Sequence, residues 1–223
     1  MSIIHTIRPS DSPFVNSVTR SVTSQAGNDI ILPDGRWDFI VTWLQGVPSV
    51  YLLNSPSLQA SHIPYSPDQE SLVITFETGS YIDTGSLLDK KGMHELRLAS
   101  DNQFWFGSQL LQIPTFENAD VFTDTLLRRG LLKNDVVVEA AAQGKSRAQT
   151  DRTLQRHFKH VTGMTPKRYQ QIMRALRAAE MLRSGIPAIA VAFELGYSDQ
   201  FHLSKSVKHV LGKTPSEIIA DQS

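Results

Sequence analysis

The stretch LQRHFKHVTGMTP at residues 154–166 returns 49 residues later as LSKSVKHVLGKTP at residues 203–215. Leu154, Lys159, His160, Val161, Gly163, Thr165 and Pro166 recur as Leu203, Lys208, His209, Val210, Gly212, Thr214 and Pro215, and Arg156 recurs conservatively as Lys205. Self-similarity at one offset marks a single supersecondary unit used twice. Leu154, Phe158 and Val161 fall at i, i+4 and i+7, as do Leu203, Val207 and Val210. Each copy therefore reads as a helix with one buried stripe. Thr150 and Ser198 are the expected N-caps. Gly163 and Gly212 supply stops, and Thr165-Pro166 and Thr214-Pro215 supply a cap followed by proline at the first helical position.

The open face of each helix is cationic and polar. In the first copy it holds Arg152, Gln155, Arg156 and Lys159; in the second it holds Gln200, His202, Ser204 and Lys205. Arginine offers a two-pronged donor to guanine edges, and glutamine both donates to and accepts from adenine. Ahead of the second copy, Pro187 to Leu195 reads as a short supporting helix, with Ala192 small enough for a close crossing and Gly196 permitting a sharp turn. Between the copies, Tyr169, Ile172, Leu176, Ala179 and Leu182 step by three and four residues, which predicts one long helix over 166–184. Such a helix spans roughly 30 Å, against about 34 Å between successive major-groove faces on one side of a duplex. A cationic helix used twice, with a spacer of that reach, points to double-stranded DNA.

Charge supports the division. Residues 1–123 hold six Lys/Arg and thirteen Asp/Glu, whereas residues 124–223 hold sixteen and nine, so a net charge of zero conceals an acidic half and a basic half. The chain has no cysteine, which excludes disulfide frameworks, thiolate metal sites and a cysteine nucleophile, including the one a DNA-alkyl transferase needs. The N-terminus lacks the pattern of a signal peptide and no apolar run approaches the ~18–20 residues of a membrane span. The expectation is a cytoplasmic protein with no membrane association.

The N-terminal half has a β texture. Residues 30–32 and 37–43 flank the turn signal Pro33-Asp34-Gly35, and residues 50–53, 71–76, 94–99 and 103–112 read as further strands. Residues 1–27, rich in Ser and Thr, read as an extended arm or an irregular first strand. Thr115 is the expected cap of a helix closed by Gly130, and Asn134 starts another that ends at Gly144. The fold class that follows is α+β with two domains: a small N-terminal β-barrel or sandwich, then an all-α domain with two helix-turn-helix units joined by a long helix. The expected boundaries are 1–113 for the β-rich sensor or dimerisation domain, 114–133 for a helical connector and 134–223 for the double helix-turn-helix domain.

The run from Arg152 to Lys159, then Gly163 to Pro166 and Arg174, and finally Glu194 to Leu203 with Gly212 to Pro215, resembles the DNA-binding domain of AraC/XylS-type transcription regulators over about residues 134–221. The resemblance implies two helix-turn-helix units in consecutive major grooves. It places base contacts on Arg152, Gln155 and Arg156 in the first unit and on Gln200, Phe201, His202 and Lys205 in the second. Gln143 and Arg147 stand where the family has an alanine and a glycine, so the turn across 143–149 is expected to be longer and looser. Val207 stands where phenylalanine is common. Lys205 replaces a common arginine, trading a planar fork for a point charge, and is expected to favour phosphate over base edges. The N-terminal half resembles the cupin-like sensor barrels of such regulators. The implied partners are double-stranded DNA, RNA polymerase, a small-molecule effector and a second copy of the chain.

Other residues admit more than one reading. Trp37, Phe39, Trp43 and Phe76 are either plain core or the wall of an apolar effector pocket with Tyr51 and His62 as polar groups. His157 and His160, at i and i+3, form a metal pair only with a third ligand, and none lies nearby in sequence. A metal-dependent enzyme needs clustered His and carboxylates; the N-terminal half has only His5, His62 and His94, widely separated. The chain therefore reads as a binding protein, not an enzyme, with no cofactor and no metal.

Overall fold

The computed structural model describes residues 2–54, 60–85, 92–145 and 150–220. The strands are β1 (Ile3–Arg8), β2 (Val15–Thr23), β3 (Gly27–Ile31), β4 (Asp38–Leu44), β5 (Val47–Leu53), β6 (Ser61–Tyr65), β7 (Gln69–Phe76), β8 (Ser80–Ile82), β9 (Met93–Leu96), β10 (Leu98–Ser100), β11 (Gln103–Phe106), β12 (Gln109–Gln112) and β13 (Leu132–Asn134). The helices are α1 (Ala119–Arg128), α2 (Val136–Ala142), α3 (Asp151–Val161), α4 (Pro166–Arg183), α5 (Ala188–Glu194), α6 (Gln200–Leu211) and α7 (Pro215–Ala220). A strand-rich N-terminal region is thus followed by a helical C-terminal one, as expected. Two compact units are distinguished. One comprises residues 1–29, 35–56 and 63–163; the other comprises 30–34, 57–62 and 164–223.

In the first unit six strands pair in the order β1-β2-β7-β4-β5-β9, and the pairings of this sheet are antiparallel. Smaller sheets join β10-β11-β12 and β13-β8. Alternation puts one side-chain set on the inner face. Phe39 stands opposite Leu52 and Ile74, Val41 opposite Val50 and Leu72, and Val18 opposite Ile74; all seven are buried. Cross-strand apolar pairs of this kind fix the register, because a one-residue slip would turn the whole set to solvent. Helix α1 lays Phe122 against this face, with ring centroids 4.7 Å from Phe39 and 6.4 Å from Phe104. Gly130, at φ 69°, ends α1 and donates its N–H to Leu127 O.

Residues 1–27 depart from expectation. Ile3–Arg8 and Val15–Thr23 form two paired antiparallel strands, and β2 is nine residues long with Val15, Val18, Ser21 and Thr23 buried. A register shift between Val15 and Ser17 breaks the period of two, and that bulge hides the strand from a search for alternation. Thr115 does not cap α1. It exchanges hydrogen bonds with Asn118, which occupies the N-cap position, so the helix starts four residues later than Thr115. Asn134 ends β13, and Asp135 caps α2 by accepting from the N–H groups of Val137 and Val138. The part of the expected loose turn at 146–149, Arg147 included, lies outside the described residues.

In the second unit α4 is the central rod. Thr165 accepts from Arg168 N–H at 3.2 Å, and Pro166 opens the helix. Tyr169, Ile172, Ala175, Ala178, Ala179 and Leu182 are buried, while Leu176 is half-buried. The alanines leave room for neighbours to approach, and α5, α6 and α7 all pack on this helix. Gly212, at φ 73°, stops α6. Thr214 and Glu217 then form a reciprocal cap at the start of α7, the hydroxyl accepting from Glu217 N–H and the carboxylate accepting from Thr214 N–H.

Gly79 shows where glycine is required. Its φ is +108°, and a Cβ there would meet Asn134 Oδ1 and Glu139 Cβ, each at 3.0 Å. Its carbonyl also accepts from Asp135 N–H. Gly79→Ala is expected to destabilise the fold by about 1–3 kcal/mol through backbone strain, read as a lower midpoint in urea with an unchanged slope.

Candidate nucleic-acid interface

Thr150 caps α3 by accepting from Thr153 N–H. Along the helix Arg152, Gln155, Arg156 and Lys159 are exposed, Leu154 is half-buried, and Phe158 and Val161 are buried. The four residues predicted to read DNA therefore share an open face. Among the described residues neither Arg152 nor Arg156 has an ion-pair partner.

The back of α3 is held by contacts that sequence spacing does not reveal. Trp37 donates its Nε1–H to Val161 O at 2.7 Å in a buried hydrogen bond, across 124 positions of sequence. His157 Nδ1 lies 2.6 Å from Asp135 Oδ2. The same carboxylate caps α2 through its other oxygen, so one side chain fixes α2 and α3 together. The His160 ring meets Tyr81 edge-on at 5.1 Å. Both histidines of the i, i+3 pair are thus engaged by separate partners in the strand-rich unit.

Helix α6 begins one residue later than expected. Asp199, not Ser198, is the N-cap: it accepts from His202 N–H at 2.7 Å, while the Ser198 hydroxyl donates to Asp199 Oδ2. An ionised carboxylate is the better acceptor at a helix N-terminus. The His202 N–H, and after it the Ser198 hydroxyl, hold the Asp199 carboxyl below its usual range. The cap's contribution is accordingly full above the ordinary aspartate pKa and is lost as pH falls through the lowered value.

Gln200, Phe201, His202 and Lys205 are exposed on α6, Phe201 at 78%. Ser204 is half-buried and donates its hydroxyl to Gln200 O, which leaves it as an acceptor toward a ligand. His202 packs edge-on to Tyr197 at 5.3 Å. Leu203, Val207 and Val210 are buried as a stripe. Within this unit Ala60 N–H donates to Val210 O at 2.9 Å.

The residues read as either core or effector wall lie at several places in the fold. Phe39 and Phe76 are core, and Trp37 is buried with its indole committed to Val161 O. Trp43 lines a cleft of about 410 Å³ with Arg20, Glu70 and Phe116. Tyr51 is half-buried on β5, and His62 is exposed on β6. A second cleft, of about 340 Å³, is lined by Leu110, Ile113, Val121, Phe122, Gln103 and Arg129. Its residues come from β11, β12, α1 and the residues next to them, whose juxtaposition no local pattern announces.

Trp37→Phe keeps the ring's bulk but leaves Val161 O without its buried donor. The expected cost is about 1–3 kcal/mol, with faster amide exchange in the last turn of α3 than in α6. Unchanged exchange there would show that the indole does not hold the helix.

Sequence similarity to known proteins is concentrated in the helical region. The family model of a helix-turn-helix domain matches residues 148–220. The HTH-type transcriptional activator RhaS of Escherichia fergusonii is 37% identical over 68 residues, covering 30% of this chain and 24% of that protein. The regulatory protein Ada of Salmonella typhimurium is 34% identical over 87 residues, covering 39% of this chain and 25% of that protein. The match thus spans about a quarter of the length of these relatives. Among solved structures, ToxT of Vibrio cholerae overlays 99% of this chain and 98% of its own at a TM-score of 0.46 and 13% identity, a likeness too distant to assign the strand-rich unit to a fold family. Residues 148–220 are a helix-turn-helix domain of the AraC/XylS type.

Proposed function

We propose that the protein is a sequence-specific DNA-binding transcription regulator. The observation that carries this reading is that both repeat copies bury their apolar stripe and expose their polar face, Arg152, Gln155, Arg156 and Lys159 on α3, and Gln200, Phe201, His202 and Lys205 on α6. Phosphate contacts by Lys and Arg set the register on the duplex, and base-edge contacts by Arg152, Gln155, Arg156 and Gln200 supply sequence discrimination. In this reading α3 and α6 enter successive major grooves. Helix α4, at 18 residues, contributes a rise of about 27 Å.

Residues 1–113 serve as the sensing or dimerising part, 114–133 as connector and 134–223 as the DNA reader. The strand-rich unit reaches α3 through Trp37 and Asp135. An effector or a second copy that binds this unit biases DNA affinity to the extent that it favours one placement of α3 over another. RNA polymerase is the further partner of a regulator that activates. The protein works by binding rather than by catalysis. No helix among the described residues is long and apolar enough to cross a membrane, and a cytoplasmic location accords with a DNA partner.

Selection from a random duplex library is expected to enrich sites with two conserved blocks about one helical turn apart. Arg156→Ala combined with Gln200→Ala removes one base-reading side chain from each helix. The pair is expected to weaken the enriched site by about 2–6 kcal/mol, with little change on scrambled duplex. Equal binding of the enriched site by wild type and double variant would count decisively against the assignment.

A further inference from the structure

Helix α6 has a second flank besides its base-reading one. Arg168 and Arg174 on α4, and Lys205, Lys208 and His209 on α6, line one open groove of about 630 Å³. Among the described residues no carboxylate lines it. Concentrating several cations in a concave site without a counter-charge raises the local potential for an anion.

Gln171, His202 and Ser206 also line the groove, which is otherwise dominated by cationic donors. An Arg168 Nη–H donates to His209 Nε2 at 3.2 Å. Arginine has no acceptor, so in this contact Nε2 is the unprotonated ring nitrogen. The Arg174 guanidinium lies 4.3 Å over the Tyr197 ring, which fixes its plane. Its Nε is buried and has no hydrogen-bond partner among the described residues. Lys205 and Lys208 are exposed at the rim. Planar guanidinium groups held in place, with ammonium groups beside them, match the oxygens of a tetrahedral oxyanion.

We propose that this α4–α6 groove is a phosphate site beside the base-reading face of α6, with which it shares His202 and Lys205, and that its ligand is a phosphodiester of the bound duplex. The second clause rests on the DNA-binding reading above; the first does not. The groove then anchors the second helix-turn-helix unit on the backbone and adds affinity without sequence preference. It also gives Lys205 a partner that suits a point charge better than a base edge does.

The test uses the full chain with Arg168→Gln, Lys208→Gln and the double variant, each checked for an unchanged thermal midpoint. Fluorescence anisotropy measures binding to a scrambled duplex across a range of salt concentrations. The slope of log affinity against log salt is expected to fall by about 0.9 for each phosphate that is no longer neutralised, and by about twice that in the double variant. Selected and scrambled duplexes should weaken by the same factor. A second arm titrates inorganic pyrophosphate at constant ionic strength and follows the thermal midpoint. If pyrophosphate stabilises wild type but not the double variant while the duplex slope is unchanged, the site takes a small phosphate ligand, and the phosphodiester clause is overturned. If slope and midpoint are both indifferent to the substitutions, the phosphate site is overturned. If wild type binds no duplex at all, the DNA reading fails, and the pyrophosphate arm alone decides the groove.

Discussion

Burial of a narrow apolar stripe on each repeated helix is the constraint from which the rest follows. Phe158 and Val161 on α3, and Leu203, Val207 and Val210 on α6, are almost wholly removed from water. Each such side chain stabilises its position by about 1.5–3 kcal/mol, far more than a surface charge can contribute. The stripe therefore decides how each helix is turned about its axis. The polar faces are exposed because the apolar residues are not. The caps and glycine stops then fix where each helix begins and ends, and so which turn is presented.

The two copies share a further feature at their ends. Val161 and Val210 occupy equivalent repeat positions, and the carbonyl of each accepts a hydrogen bond from a donor far away in sequence. The first is the Trp37 indole, the second the Ala60 backbone N–H. Carbonyls in the last turn of a helix have no partner within it, so each is an available attachment point. In α3 this bond joins the His157–Asp135 contact and the Tyr81 edge contact. Helix α3 is consequently a member of the strand-rich unit as well as of the repeated sequence.

Much of the helical region is legible in the sequence because its signals are local. The repeat, the i, i+4, i+7 spacing, Thr150, Thr165-Pro166, Gly163 and Gly212 each act within one or two turns of chain. The cap of α6 falls one residue later than expected because Ser198 and Asp199 both qualify, and the ionised side chain wins. The strand region is less legible. A bulge conceals β2, and β6, β8 and β13 are too short and too partner-dependent to show a period. The aromatic residues expected as pocket walls illustrate the same limit. Phe39 and Phe76 alternate as a lining would, yet which side of a sheet becomes core is settled by what packs on it, here Phe104 and Phe122. The bonds of Trp37 to Val161 and of His157 to Asp135 join residues 124 and 22 positions apart, and no spacing rule reaches them. The basic α4–α6 groove is half visible: Lys205 stands out in the sequence as a cation expected to favour phosphate, but its companions on α4 emerge only when the helices are packed.

Hydroxyl-radical footprinting of the full chain on a selected duplex tests the central claim most directly, because it reports where the backbone is covered and on which side. Two protected patches on one face, about one helical turn apart, are the expected result, with the half nearer the second block losing protection when α6 is altered. A single short patch, or uniform protection indifferent to substitutions on both α3 and α6, would contradict the assignment of those helices as paired readers.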